Sequence, residues 1–173
     1  MSAPRGDSIR PTTGRVKEAI FSALTARELL LGAKVLDLYA GTGALAIEAL
    51  SRNAARAVLV ENDRTALEAL RRNLSVTATA TSASVVAADA GSFLTGPPPS
   101  DAPFDLVFCD PPYELESPAV DAVIAPLGTR AWATEDALVV VERPAGVASP
   151  RVEGLRIAWE RTFGDTLVFF LST

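Results

Sequence analysis

The sequence predicts an α/β fold, a mainly parallel sheet with helices on both faces, and three observations carry that expectation. Short apolar runs alternate with amphipathic stretches from Lys34 onward. A glycine turn, Gly41-Thr42-Gly43, follows the first run, where a strand would pass into a helix. The last two runs flank Phe163-Gly164-Asp165, a turn signature that closes the chain with an antiparallel hairpin.

In chain order, Thr12 or Thr13 is suited to cap a first helix in which Val16, Ile20, Ala23 and Leu24 share a face. Strands are expected over 34–39, 56–61, 83–88, 104–109 and 136–142, with helices over 43–53, 64–74, 89–95 and 117–127. Such alternation joins parallel strands by right-handed crossovers. The closing hairpin is expected over 155–161 and 166–171, and the proline-rich stretch 96–103 reads as a surface loop rather than a linker. There is no internal repeat. The expected organisation is a basic segment and helix, 1–33, packed on one domain, 34–173.

Composition narrows the chemistry. At 173 residues and 49% hydrophobic, the chain can bury a substantial core. Its longest apolar runs are too short to span a bilayer, and no signal-peptide pattern opens it, so a cytoplasmic location with no membrane partner is expected. One cysteine excludes an intrachain disulfide, and the lack of histidine removes the usual zinc ligands and histidine catalysis, so no metal site is expected. Cys109, inside an apolar run, reads as a core thiol. The net charge of -5 argues against broad nonspecific affinity for nucleic acid. Residues 1–34 nevertheless carry six basic and three acidic side chains, a local basic edge able to meet phosphates or simply to face water.

Ligands of open α/β sheets bind beyond the carboxyl ends of the strands, where strand order reverses. Two loops of this chain carry chemistry there. In Val35-Leu36-Asp37-Leu38-Tyr39-Ala40-Gly41-Thr42-Gly43, the glycines permit a tight turn and close approach of backbone to a ligand. Glu61, at the end of the second strand and followed by Asn62, has the position of an acid that accepts both hydroxyls of a ribose. Asp89 and Ala90, after the third strand, are placed to meet an adenine, although Asp89 equally suits a helix cap. A nicotinamide cofactor would require a pyrophosphate contact, for which there is no comparable clue. S-adenosylmethionine has no phosphate, and Asp37 near the loop would face its ammonium.

The second loop, Asp110-Pro111-Pro112-Tyr113, follows the apolar run 104–109. Its prolines remove backbone donors and stiffen the turn, which holds a carboxylate, a free carbonyl and a flat ring in fixed positions. That set suits a planar group bearing an NH2. The Asp110 carboxylate and the Pro111 carbonyl can each accept one N–H, which aims the nitrogen lone pair at a sulfonium methyl. Tyr113 can stack on the base, a contact worth ~1–3 kcal/mol.

Arg10-Pro11-Thr12-Thr13-Gly14-Arg15-Val16-Lys17-Glu18, the Leu36–Leu45 stretch, Glu48-Ala49-Leu50-Ser51-Arg52 and Asp110-Pro111-Pro112-Tyr113 together resemble the bacterial RsmD family of small-subunit rRNA guanine-N2 methyltransferases. The likeness runs over nearly the whole chain. It implies a Rossmann-like, seven-stranded class I methyltransferase sheet, S-adenosyl-L-methionine as donor, and a guanine of 16S rRNA in the assembled small ribosomal subunit as acceptor. It further implies that Arg10, Pro11 and Thr12 close over the methionine end of the donor, with Arg15 near the acceptor base. Asp37, Tyr39, Gly41, Thr42, Gly43, Glu61, Asn62, Asp89, Ala90 and Asp110 would complete the donor site, and the enzyme would act as a monomer. Family members carry a longer glycine- and arginine-rich segment ahead of R-P-T than the nine residues here, so a reduced RNA-docking surface is expected at this end.

The same D-P-P-Y loop would also serve adenine-N6 methylation of DNA or RNA. A noncatalytic RNA-binding assembly factor is the alternative from another class, disfavoured by intact Asp110 and Tyr113. A glutamine-modifying enzyme would resemble an Asn-Pro-Pro-Tyr version of the loop.

Overall fold

The computed structural model describes residues 13–173, so the expectations placed on Arg10, Pro11 and Thr12 lie outside the described residues. Helix α1 (Thr13–Ala26) leads into β1 (Lys34–Leu38), α2 (Ala44–Ser51), β2 (Arg56–Glu61), α3 (Arg64–Val76), β3 (Ala83–Ala87), α4 (Ala90–Thr95), β4 (Phe104–Cys109), α5 (Ser117–Ile124), β5 (Ala133–Pro144), β6 (Arg156–Phe163) and β7 (Thr166–Ser172). The seven strands form one sheet in the order β3-β2-β1-β4-β5-β7-β6. The pairs among β1 to β5 are parallel, whereas β7 runs antiparallel to both β5 and β6. The sequence-predicted fold class therefore holds, including the closing hairpin.

The central strands are uninterrupted apolar runs because both faces of the sheet are covered. On one face Val16, Ile20, Phe21 and Leu24 of α1 pack with Val35, Leu106, Phe108, Val140, Val168 and Phe170. On the other, Leu36, Val58, Val107, Val139 and Phe169 pack with Leu94 of α4 and Val120 and Ile124 of α5. Alternation along each strand sends successive residues to opposite layers.

Several elements differ in extent from the expectation, β5 and α5 among them. β5 is longer than 136–142: Ala133 pairs with Phe104 at one end, and Pro144 pairs with Thr166 at the other. Helix α5 stops at Ile124 and continues as a 3₁₀ turn, Ala125–Gly128. Pro126 has no N–H to continue the α-helical ladder, which accounts for the change.

Strand order reverses beside β1, since β2 lies on one side of it and β4 on the other. A crevice is expected at the carboxyl end of that pair. Both loops singled out in the sequence open there.

Candidate active site

Register decides which residues meet at this rim. Leu38 is level with Val60 of β2 and with Cys109 of β4, and Cys109 is level with Val141 of β5. The next residue of each strand therefore forms a row across the sheet: Glu61, Tyr39, Asp110, Glu142. Adjacent strands lie about 4.8 Å apart, so Glu61 and Asp110, two strands apart, are separated by roughly 10 Å at the backbone.

A cavity of about 390 Å³ lies over this row, lined by Gly14 and Lys17 of α1, Asp37, Tyr39, Ala40, Gly41, Thr42, Ala44, Leu45, Asp110 and Glu142. A small recess beside it is lined by Tyr39, Val60, Glu61, Asn62, Ala88 and Ala90. Tyr39 belongs to both, so its ring stands at the junction. Its backbone is left-handed, with φ 59°. That conformation is uncommon for a bulky residue and marks the abrupt exit from β1. Burial pushes the Tyr39 phenol up to about 12, so it stays protonated.

The glycine loop is tied to its neighbours from three sides. Gly41 donates its N–H to Glu61 Oε2 at 2.7 Å, while Glu61 Oε1 accepts from the N–H groups of Asn62 and Asp63, each at 2.8 Å. Asn73 of α3 donates from Nδ2 to the Thr42 carbonyl at 3.0 Å. Gly43 has φ 82°, and a Cβ there would stand 3.3 Å from Leu59 and 3.4 Å from Ile47 and Leu70. Only glycine meets both the angle and the space.

Asp37 is 2% exposed and accepts from the Ala46 N–H of α2 at 3.1 Å. Burial raises its carboxyl to about 7, against the pull of the Ala46 bond, and the nearby Asp110 and Glu61 charges push the same way. A cation entering the cavity would reverse this balance and favour the carboxylate. The donor set thus fits S-adenosylmethionine, whose sulfonium and ammonium are both positive. It would oppose a phosphate-bearing cofactor.

The D-P-P-Y loop is tethered at two points. Tyr113 Oη lies 3.3 Å from Thr166 Oγ1 at the start of β7. Arg143, only 3% exposed in β5, donates from Nη2 to the Leu115 carbonyl. Pro111 is buried and Pro112 exposed. Cys109 is a buried thiol whose ionisation is pushed strongly upward by burial, as a core residue requires.

The structure therefore brings together Asp37, Tyr39, Gly41, Thr42 and Asp110 around the main cavity, with Glu61, Asn62 and Ala90 around the recess. Asp89 lines neither; its carboxylate accepts from the Ser92 N–H at 2.9 Å and caps α4. Arg15 is exposed in the first turn of α1, next to the cavity-lining Gly14. Sequence reasoning missed Glu142 and Lys17. Glu142 had a legible signal, since it ends the apolar run 137–141 as Glu61 ends its own strand. Among the described residues there is no cluster able to hold a metal ion and no helix long and apolar enough to cross a membrane.

A seven-stranded sheet with this order, a glycine loop bound to the β2 acid and a D-P-P-Y turn on the neighbouring strand define a class I S-adenosylmethionine-dependent methyltransferase. The chain belongs to the family described as "Conserved hypothetical protein 95", which matches residues 1–172. Ribosomal RNA small subunit methyltransferase D of Escherichia coli (strain K12) is 38% identical over 152 residues, 88% of this chain and 73% of that one. Putative rRNA methyltransferase YlbH of Bacillus subtilis (strain 168) is 32% identical over 167 residues, 96% and 89% of the two chains. Among solved structures, a putative methyltransferase yhhF from Escherichia coli superposes with TM-score 0.82 at 35% identity, covering 96% of this chain and 88% of that one. An RNA methyltransferase from Salinibacter ruber in complex with S-adenosyl-L-homocysteine shares the fold, with TM-score 0.67 at 18% identity over 94% and 92% of the chains.

Proposed function

We propose that this enzyme methylates the exocyclic N2 of a guanine in 16S rRNA, presented on the assembled small ribosomal subunit. The observation that carries the reading is the row Glu61, Tyr39, Asp110, Glu142, which sets a donor-binding acid and an amine-gripping loop on one rim of one cleft. The names of its relatives support RNA as the substrate class.

When bound, S-adenosylmethionine supplies an electrophilic methyl carbon on a sulfonium. The remaining work falls to the chain. Glu61 and Asn62 take the ribose end, Ala90 borders the adenine, and Asp37 faces the positive end beside Gly41. Asp110 and the Pro111 carbonyl accept the two N–H groups of the amine. This orients a lone pair that is otherwise delocalised into the ring, and such positioning can contribute several kcal/mol. Tyr113, held at its hydroxyl by Thr166, presents its ring to the base. After transfer the nitrogen is acidic and already bonded to Asp110, so no histidine is required. The N-terminal basic segment, 1–33, extends the catalytic domain 34–173, with Arg15 of α1 toward the base. The enzyme works as a cytoplasmic monomer.

The test is mass spectrometry of small-subunit RNA after incubation of unmodified subunits with enzyme and isotopically labelled donor. N2-methylguanine is the expected product, whereas N6-methyladenine would replace this reading with the rival use of the same loop. Asp110→Ala should abolish transfer while donor binding, followed by calorimetry, stays close to that of the parent. Normal turnover in that variant would remove the role given to Asp110.

A further inference from the structure

Ala23 and Arg27, four residues apart, lie on one side of the C-terminal end of α1. That side faces the sheet edge: the Arg27 guanidinium sits 4.0 Å from the centroid of the Trp159 ring on β6, and its Nη1 donates to the Ala23 carbonyl at 3.3 Å. On β6, Trp159 pairs with Phe170, Arg161 with Val168 and Phe163 with Thr166. Phe170 and Val168 belong to the core layer beneath α1, so Trp159, Arg161 and Phe163 project to that same face. Trp159 stacks on Phe170 at 4.4 Å, and the Arg161 guanidinium lies 5.2 Å from the Phe163 centroid. The only carboxylate in this stretch of β6, Glu160, pairs with Phe169 and points to the opposite layer.

Arg27 and the β6 side chains thus form a strip of surface in which arginines lie over aromatic rings. It begins at the active site, because Gly14 and Lys17 of α1 line the cavity and Phe163 pairs with the Thr166 that holds Tyr113. Arg15, Arg27 and Arg161 are exposed, and no carboxylate of the described residues lies within ion-pair distance of them. A guanidinium flat against a ring keeps its N–H edge free for phosphate oxygens.

We propose that the α1–β6 strip is the docking track for the RNA backbone that flanks the target base, with Arg27 and Arg161 as phosphate contacts. The inference rests on the reading of the enzyme as an RNA methyltransferase and adds the surface that reading lacks. Removing two phosphate contacts should reduce the slope of log affinity against log salt by about 1.4 to 1.8.

The experiment compares the parent with the double variant Arg27→Glu/Arg161→Glu and with the charge-matched control Arg71→Glu/Arg72→Glu on α3. It measures small-subunit rRNA affinity across a salt series, steady-state methylation of subunits, and donor affinity. In the Arg27→Glu/Arg161→Glu variant RNA affinity should fall and KM for subunits rise, each at least about tenfold. The kcat and donor affinity should hold within about twofold, and the control should match the parent. Unchanged RNA affinity and salt slope in that double variant would overturn the track. If the parent binds RNA through these arginines yet methylates none, the track stands and the assigned reaction falls.

Discussion

Glu61 shows how much one carboxylate can be asked to do. Its two oxygens face three backbone donors: Oε2 takes Gly41, and Oε1 takes Asn62 and Asp63. Both oxygens must accept, so glutamine is a poor substitute, because its NH2 would face an N–H on one side or the other. Glu61→Gln is therefore expected to behave almost like Glu61→Ala. Each should weaken donor binding by at least about tenfold, and each should cost roughly 1–2 kcal/mol of stability as the glycine loop loses its anchor. Calorimetric titration with S-adenosylmethionine and denaturant unfolding check both figures. Full donor affinity in the glutamine variant would mean that the carboxylate ties the loop but does not touch the ribose. Gly43 is as constrained, for a different reason. Gly43→Ala adds a methyl at a left-handed φ and against Leu59, Ile47 and Leu70. A loss of about 1–3 kcal/mol in unfolding free energy is expected, with α2 displaced from β1.

At the scale of elements, the loop between β4 and α5 is held by strands distant in sequence. Arg143 of β5 donates to Leu115, and Thr166 of β7 meets Tyr113, so the antiparallel edge of the sheet positions the D-P-P-Y turn. Arg143 Nη1 is buried with no hydrogen-bond partner among the described residues. A buried cation only partly satisfied contributes little to stability, and an apolar side chain of similar size can replace it at near-neutral cost. Arg143→Met should therefore leave stability within about 1 kcal/mol of the parent. It should lower kcat for methyl transfer by about tenfold with donor affinity unchanged, because only the loop is released. Single-turnover kinetics beside thermal unfolding separate the two effects, and an unaltered kcat would show that Arg143 is not needed to hold the turn. These tethers mark the boundary of what the chain discloses when read linearly. Strand positions were legible because parallel strands are short apolar runs with polar ends, and β2 and β4 match their expected limits. Both loops were legible because glycine and proline set backbone geometry locally. The neighbours of each strand were not, since register is fixed by packing between distant segments. Glu142, Arg143 and Lys17 reach the site only through that packing, and Asp89 suits a cap, which its bond to Ser92 forms, as well as a ligand contact.

At the scale of the whole molecule, folding and donor binding are linked through Asp37. Its carboxyl is raised from 3.8 to about 7 in the folded chain, so the folded state holds a proton that the unfolded state has lost between those values. Stability from this group is fully present below pH 3.8 and is lost as pH rises through about 7. The positive end of the donor has the opposite preference, because it is attracted to the ionised form. Donor binding below pH 7 must therefore expel the Asp37 proton, and its affinity should rise with pH until the carboxylate is already formed. The stabilisation conferred by a ligand follows its affinity for the folded state. Accordingly, the rise in Tm produced by a fixed concentration of S-adenosylmethionine should be larger at pH 8 than at pH 6, while the ligand-free protein loses stability over the same interval. Asp37→Asn can still accept the Ala46 N–H but cannot ionise. It should flatten the ligand-free profile, weaken donor binding at pH 8, and abolish the dependence of the Tm shift on pH. Calorimetry in two buffers of different ionisation enthalpy gives an independent measure, a proton released per donor bound at pH 6 and none in the variant. Equal Tm shifts at both pH values in the parent would mean that the donor cation lies too far from Asp37 to affect it, and the placement of the methionine end beside Gly41 would have to be abandoned.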